Sequence, residues 1–319
     1  MALLEVEGLR TYFKTQEGTL KAVDGVDFIL EKGHAMGLAG ESGCGKTTAA
    51  LSIMKLLPAN GYIAGGKINF MGQDMARVTG EKLRAIRWRD ISIVFQGAMN
   101  ALNPVKRVGE QIAEPILLHE DVDKEVANKR VKELFELVGL NPSRVREYPH
   151  EFSGGMRQRV MIATALACKP RLVIADEPTT ALDVMIQAQI LDLMKTLQRE
   201  LELAMIIISH DLSVLAETCD TLCIMYAGKI VERADSVEVF RNPQHPYTQG
   251  LIAAFPNVKG ERVMPGAIAG NPPNLIEPQP GCRFAKRCSL TKDICLNQEP
   301  PLVEVLPNHY AACHLVEPR

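Results

Sequence analysis

The chain has 319 residues, is 46% hydrophobic and carries a formal net charge of -2, a balance that fits a globular protein able to bury a sizeable apolar core. Its apolar runs fall short of the roughly 18 residues a membrane-spanning helix needs, so the chain is not expected to be a channel. Its 36 lysines and arginines are scattered among 38 carboxylates, without the basic stripe that backbone contact with nucleic acid requires.

Residues 1–7 alternate in polarity and predict a first strand rather than a secretory leader. An apolar run at residues 35–39, the sequence GESGCGKT at residues 40–47 and an apolar-periodic run at residues 48–57 predict strand, loop and helix. In such a loop Gly40, Gly43 and Gly45 turn the backbone amides inward onto phosphates, with Ser42, Cys44 and Thr48 along the cradle. Lys46 reaches the β- and γ-phosphates and the Thr47 hydroxyl ligates Mg²⁺. Cys44, beside anion-binding amides, is also a candidate redox-sensitive thiol. A short strand at residues 91–95 ends at Gln96, and residues 97–105, small and polar up to Pro104, predict an exposed, shaped loop. Helical periodicity dominates from about 105 to 160, where Val126, Val131, Leu134, Phe135, Leu137 and Val138 read as a buried stripe closed by Gly139.

Ser153, Gly154 and Gly155, followed by Met156, form a second glycine-bearing anion cradle, and two such cradles imply nucleotide held by one molecule and covered by another. The apolar residues 172–175 run into Asp176 and Glu177, the signature of a buried parallel strand with carboxylates at its ligand-facing edge. Asp176 suits the Mg²⁺ shell, and Glu177 is placed to polarise the water that attacks the γ-phosphate. A strand at residues 205–209 precedes His210, and another at 221–226 runs into a turn at Ala227 and Gly228.

Past residue 240 the composition changes. Prolines at 256, 265, 272, 273, 278 and 280 predict little regular helix or central strand. Cys282, Cys288, Cys295 and Cys313 follow, half of the eight cysteines in the chain. In a reducing compartment they read as four thiolates for a metal or cluster rather than as disulfides, and their spacing does not choose between zinc and iron–sulfur. Cys168, Cys219 and Cys223 read as small buried hydrophobes.

With the phosphate loop, the second cradle and the carboxylate strand in order, the chain resembles an ATP-binding cassette (ABC) ATPase over residues 1 to about 255. The resemblance implies an α/β fold of the ABC-type P-loop NTPase kind: a RecA-like core with an antiparallel β subdomain, an inserted helical subdomain at about 97–160, and here a small Cys-rich extension at 256–319. It implies that Phe13 or Tyr12 stacks on adenine, that Gln96 is the Q-loop residue and a further Mg²⁺ contact, and that residues 153–156 are the signature acting in trans. Asp183 would lie in the D-loop and His210 would be the switch histidine. His245 to Leu251, Asn271 to Pro273, Gly281 to Phe284 and Glu299 to Glu304 are similar to the C-terminal extension of dipeptide, oligopeptide and nickel importer ATPases. Members related to the dipeptide subunit carry a [4Fe-4S] cluster on the four cysteines, with zinc as the alternative here, and Arg283, Lys286 and Arg287 would offset its charge. The implied cofactors are ATP and Mg²⁺ beside that cluster. The implied partners are two transmembrane permease subunits, a second ATPase subunit (a different one, or another copy) and indirectly an extracytoplasmic peptide-binding protein, with no nucleic acid. The implied location is the cytoplasmic face of the membrane, as a peripheral subunit. A nickel or other solute importer, and a non-transport or redox-regulatory ABC ATPase, are the alternative functions.

Overall fold

The structure is a computed structural model that describes residues 2–97, 101–254 and 268–319. Pro256, Pro265, the expected boundary at 255/256 and the middle of the 97–105 loop lie outside the described residues. In chain order the described strands are β1 (Ala2–Thr15), β2 (Gly18–Glu31), β3 (Ala35–Ala39), β4 (Gly61–Phe70), β5 (Gln73–Asp74), β6 (Ile91–Val94), β7 (Leu172–Asp176), β8 (Ala204–Ser209), β9 (Thr221–Tyr226), β10 (Lys229–Asp235), β11 (Val303–Leu306) and β12 (His309–Ala311). The chain divides into two compact units, one of residues 4–29, 36–76 and 209–319 and one of residues 1–3, 30–35 and 77–208.

In the first of these, an antiparallel sheet runs β2-β1-β4-β5. Leu4 and Val6 are buried while Glu7 is exposed, the alternation of a sheet with one wet face. The register of β1 on β4 shifts between Glu7 and Arg10. Opposite that bulge, Gly66 has φ 89, and a Cβ there would fall 2.5 Å from the Gly8 carbonyl oxygen, so only glycine fits. A second set of strands in this unit pairs β3 parallel to β9, β9 antiparallel to β10, β10 to β12, and β12 to β11.

The other unit has β6, β7 and β8 parallel, in the order β8-β7-β6, with every residue buried. Unbroken apolar runs are what a parallel strand covered on both faces requires. Between β6 and β7 in sequence come the helices Val108–His119, Lys124–Leu137 and Gly154–Ala165. The Lys124–Leu137 helix starts on Asp123, whose carboxylate accepts from the Val126 amide, and buries Ala127, Val131, Leu134 and Phe135. Val126 itself is 46% exposed; it lies in the first turn, off the buried stripe in which the sequence reading placed it.

One further expectation is corrected. The helix after the phosphate loop is Lys46–Met54 rather than 48–57, because Lys55 turns left-handed at φ 51 and closes onto Leu51 and Ser52 carbonyls. The proline-bearing stretch bears out its reading where it is described, since residues 268–280 form neither helix nor strand. Pro246 occupies the first turn of the helix Pro246–Ala253, where its fixed φ and missing N–H cost nothing. The β11–β12 hairpin then extends the sheet from β10.

Candidate functional site

The loop at residues 40–47 is held tightly. Gly40 (φ 145) and Gly45 (φ 108) are both left-handed, and added Cβ atoms would lie 2.1 Å from the Met225 oxygen and 2.3 Å from the Ala22 oxygen. Backbone conformation and space therefore both demand glycine. Lys46 is 6% exposed; its Nζ donates to the carbonyls of Gly40 at 2.6 Å and Glu41 at 3.0 Å. The helix Lys46–Met54 begins at Gly45 with no side-chain cap, so its first amides and its dipole face the loop, an arrangement that favours an anion. Ser42, Gly43 and Thr47 are exposed at its mouth. Cys44 is buried, and burial raises its thiol against the opposing pull of Lys46. Such a setting does not favour the thiolate on which its reading as a redox-sensitive thiol depends.

Tyr12 donates its hydroxyl to Asp24 at 2.7 Å and meets Tyr62 edge-on at 6.3 Å between centroids. Burial, then the Asp24 bond, pushes its hydroxyl up to about 12. Phe13 lies over the backbone of Gly61, where a Cβ would meet its ring at 2.7 Å. His210 follows β8 directly, is exposed, and precedes Asp211, the cap of the helix Leu212–Thr218.

In the other unit, Asp176 ends β7 at 4% exposure, and Glu177 turns left-handed at φ 46. A glutamate in that region carries backbone strain of about 1–2 kcal/mol. Its amide donates to the Ile208 carbonyl at 2.9 Å. Its carboxylate accepts from Gln96 Nε2 at 2.6 Å and from Thr180 Oγ1 at 3.0 Å. The two residues singled out at the ends of β6 and β7 are thus brought together. Ser153 caps the helix Gly154–Ala165 by accepting from the Met156 amide, and Asp183 caps Val184–Glu200 by accepting from Ile186 at 3.0 Å. These two helix starts touch: a Cβ on Gly155 would lie 2.5 Å from Ile186 Cγ2.

Cys282, Cys288, Cys295 and Cys313 line one small cavity together with His245, Phe284 and Leu290. Burial, reinforced by the neighbouring thiols, pushes Cys282 up to about 11 and raises Cys313. Among the described residues no group of three or more His, Cys, Asp or Glu could hold a single metal ion. The basic residues between the cysteines do something other than expected. Arg283 donates to the Ala227 carbonyl and to Asp24, the carboxylate that also holds Tyr12. Arg287 makes a two-pronged pair with Glu41 of the phosphate loop, 2.6 and 2.9 Å. Both guanidinium groups are committed to carboxylates rather than to the cavity, and Lys286 alone is exposed.

Sequence reasoning also missed Glu232, fully buried, which accepts from the amides of Gln244 and His245 and pairs with His309 Nε2 at 2.7 Å. Burial holds His245 down to about 4, so it is neutral there. β10 also carries Lys229, Arg233 and Asp235, so no local pattern set Glu232 apart.

The ABC transporter profile matches residues 23–180, and the profile "Oligopeptide/dipeptide transporter, C-terminal region" matches residues 231–295. Over 99% of its length the chain is 48% identical to the oligopeptide transport ATP-binding protein OppD of Bacillus subtilis, covering 89% of that protein. The chain belongs to the ABC oligopeptide/dipeptide transporter family, among its ATP-binding proteins. Other members of this family are nearly as similar: the dipeptide transport ATP-binding protein DppD of Bacillus subtilis (45% identical, 99% of this chain, 96% of that one) and OppD of Escherichia coli (46%, 98% and 93%). The family's ABC cassette fold is also the fold of a solved dimeric bacterial ABC transporter cassette, MJ0796, with TM-score 0.66 at 26% identity over 73% of this chain and 98% of that chain. The cassette cbiO1 of Clostridium perfringens gives TM-score 0.65 at 27% identity over 76% and 91%.

Proposed function

We propose that this member of the family is the ATP-hydrolysing subunit of a peptide importer, in which ATP binding and hydrolysis drive di- and oligopeptides through a partner permease. The observation that carries this is the end-to-end similarity to the oligopeptide transport protein OppD, with cassette and C-terminal region matched in one chain. Lys46 exchanges its two loop carbonyls for the β- and γ-phosphates, and the cradle of residues 40–48 supplies amides. Thr47, Asp176 and Gln96 are assigned to Mg²⁺, which supplies positive charge to the phosphate oxygens. Glu177 is the base for the attacking water, its carboxylate aimed by Gln96 and Thr180. His210 meets the γ-phosphate, and Tyr12 or Phe13 stacks on adenine. Residues 153–156 and Asp183 serve the nucleotide held by a second ATPase subunit, a different chain or another copy.

That pairing does its work on two membrane permease subunits, fed by an extracytoplasmic binding protein. Among the described residues no helix is long and apolar enough to cross a membrane, which supports a peripheral place on the cytoplasmic face. The domain reading stays at 1–255 for the cassette and 256–319 for the extension.

A [4Fe-4S] cluster on Cys282, Cys288, Cys295 and Cys313 is part of this proposal. Four thiols line one cavity, a donor set of the kind that both a [4Fe-4S] cluster and the alternative, zinc, take. When bound, such a cluster supplies cross-links among four chain segments.

The test is uptake of labelled di- and oligopeptides, with nickel alongside, in cells lacking the chain and restored with wild type or Glu177→Gln. Peptide uptake rescued by wild type alone is expected. Lost nickel uptake with peptide uptake intact would overturn the substrate class, and no transport defect would overturn the importer reading.

A further inference from the structure

Glu41, the second residue of the phosphate loop, puts a carboxylate where a loop built to receive phosphates gains nothing from negative charge. All three of its polar groups are engaged. Its amide donates to the Tyr247 hydroxyl at 2.9 Å, its carbonyl accepts from Lys46 at 3.0 Å, and its carboxylate is gripped by Arg287. Arg287 is itself built in: its side chain is 6% exposed, it donates to the carbonyls of Ile268 and Ala269 and to the Tyr226 hydroxyl, and it stacks on the Tyr226 ring at 5.7 Å. It is the residue immediately before Cys288, and the 3₁₀ turn Ala285–Arg287 that presents it is bracketed by Phe284 and Cys288.

We propose that Arg287 is a positioning residue for ATP, acting through Glu41: it neutralises the loop carboxylate and fixes the loop, so that the four-cysteine segment sets nucleotide affinity. A planar fork matched to a carboxylate gives both charge and direction, which a lysine would supply only in part. Arg283, the residue immediately after Cys282, makes the parallel connection through Asp24 to the hydroxyl of Tyr12. The segment thereby reaches both the phosphate loop and an aromatic residue of β1. This rests on the reading that residues 40–47 hold ATP.

The experiment is MgATP binding and steady-state hydrolysis by the full chain, comparing wild type, Arg287→Met, Arg287→Lys, Glu41→Gln and Arg287→Met with Glu41→Gln. Arg287→Met is expected to weaken MgATP about ten- to a hundredfold and to raise KM with kcat little changed, because a carboxylate is left unpaired beside the phosphates. Arg287→Lys falls between. The double variant returns to within about threefold of wild type, which lost packing alone would not allow. Wild-type affinity in Arg287→Met, or a double variant as weak as the single one, overturns the proposal. Should Arg287→Met fail to fold, Arg287→Lys and Glu41→Gln decide together: weaker binding in Arg287→Lys with Glu41→Gln within threefold of wild type supports the charge logic, and wild-type affinity in Arg287→Lys or a tenfold loss in Glu41→Gln sinks it. Lys46→Ala separates the two readings, since full MgATP binding there removes the ATP site itself. Binding lost in Lys46→Ala but retained in Arg287→Met removes only the role of Arg287.

Discussion

Replacing Gly155 by alanine tests whether the signature helix and the helix after Asp183 form one rigid corner. The added Cβ would sit 2.5 Å from Ile186 Cγ2, about 1 Å inside the ~3.5 Å at which carbon atoms pack comfortably. Neither side retreats easily. The first helix is pinned by Ser153 at its cap and by the buried Val160 and Ala163, the second by the Asp183 cap on the Ile186 amide. Overpacking of this kind costs about 1–3 kcal/mol. Ile186 is half-buried, so Ile186→Ala alone should cost about 1–2 kcal/mol, at or below the low end of core truncations. Urea unfolding of the two single variants and the double variant gives the coupling directly. We expect the double variant to be at least about 1 kcal/mol more stable than the sum of the single losses predicts. Simple additivity would refute the steric argument. ATPase rates on the same proteins add a second readout: hydrolysis should stay low in the double variant, because the role assigned to Gly155 also needs a bare backbone near phosphate.

Glu177→Gln should keep MgATP binding and lose about 10²–10⁴-fold in turnover; wild-type turnover would remove it as the base. Anaerobically purified protein should contain iron and acid-labile sulfide, both lost in Cys295→Ser with the circular dichroism of the cassette retained. Zinc without sulfide would reject the cluster. Burial pushes Cys219 and Cys223 up to about 12, so both should resist maleimide at pH about 8 until urea unfolds the chain; rapid native labelling at either would contradict their place in the core. Burial opposes ionisation of Asp24, but the Tyr12 hydroxyl, Lys229 and Arg283 outweigh it and hold the carboxylate below its usual range. Its contribution to stability is therefore present above the unfolded value of about 3.9 and disappears as pH falls further. Asp24→Asn should flatten the acid limb of a pH–stability curve, and an unchanged limb would show that the network is not felt.

Where local pattern and burial agree, the sequence was readable. The strand at 35–39 was placed to the residue and that at 172–176 to within one residue at its end, because a fully buried parallel strand is a continuous apolar run with a sharp polar end. The loop glycines were equally legible, since backbone conformation there permits little else. Val126 was misplaced because helical spacing alone does not say that the first turn faces out. The prolines at 272, 273, 278 and 280 were legible as breakers, because the described stretch that holds them forms no helix or strand. Arg283 and Arg287 were seen only as charges among thiols. Their carboxylate partners lie 259 and 246 residues away, and no local pattern encodes pairing over such a distance.

That separation has a consequence for how the protein is made. The Glu41 carboxylate leaves the ribosome 246 residues before its guanidinium partner, an interval of roughly 12–50 s at ordinary elongation rates. Until β9 and β10 have emerged the loop lacks the strands that wall it in, and Glu41 lacks its guanidinium partner until residue 287 follows. On the role proposed for Arg287, nucleotide competence is a late event in synthesis, arriving only as the cysteine-bearing segment emerges.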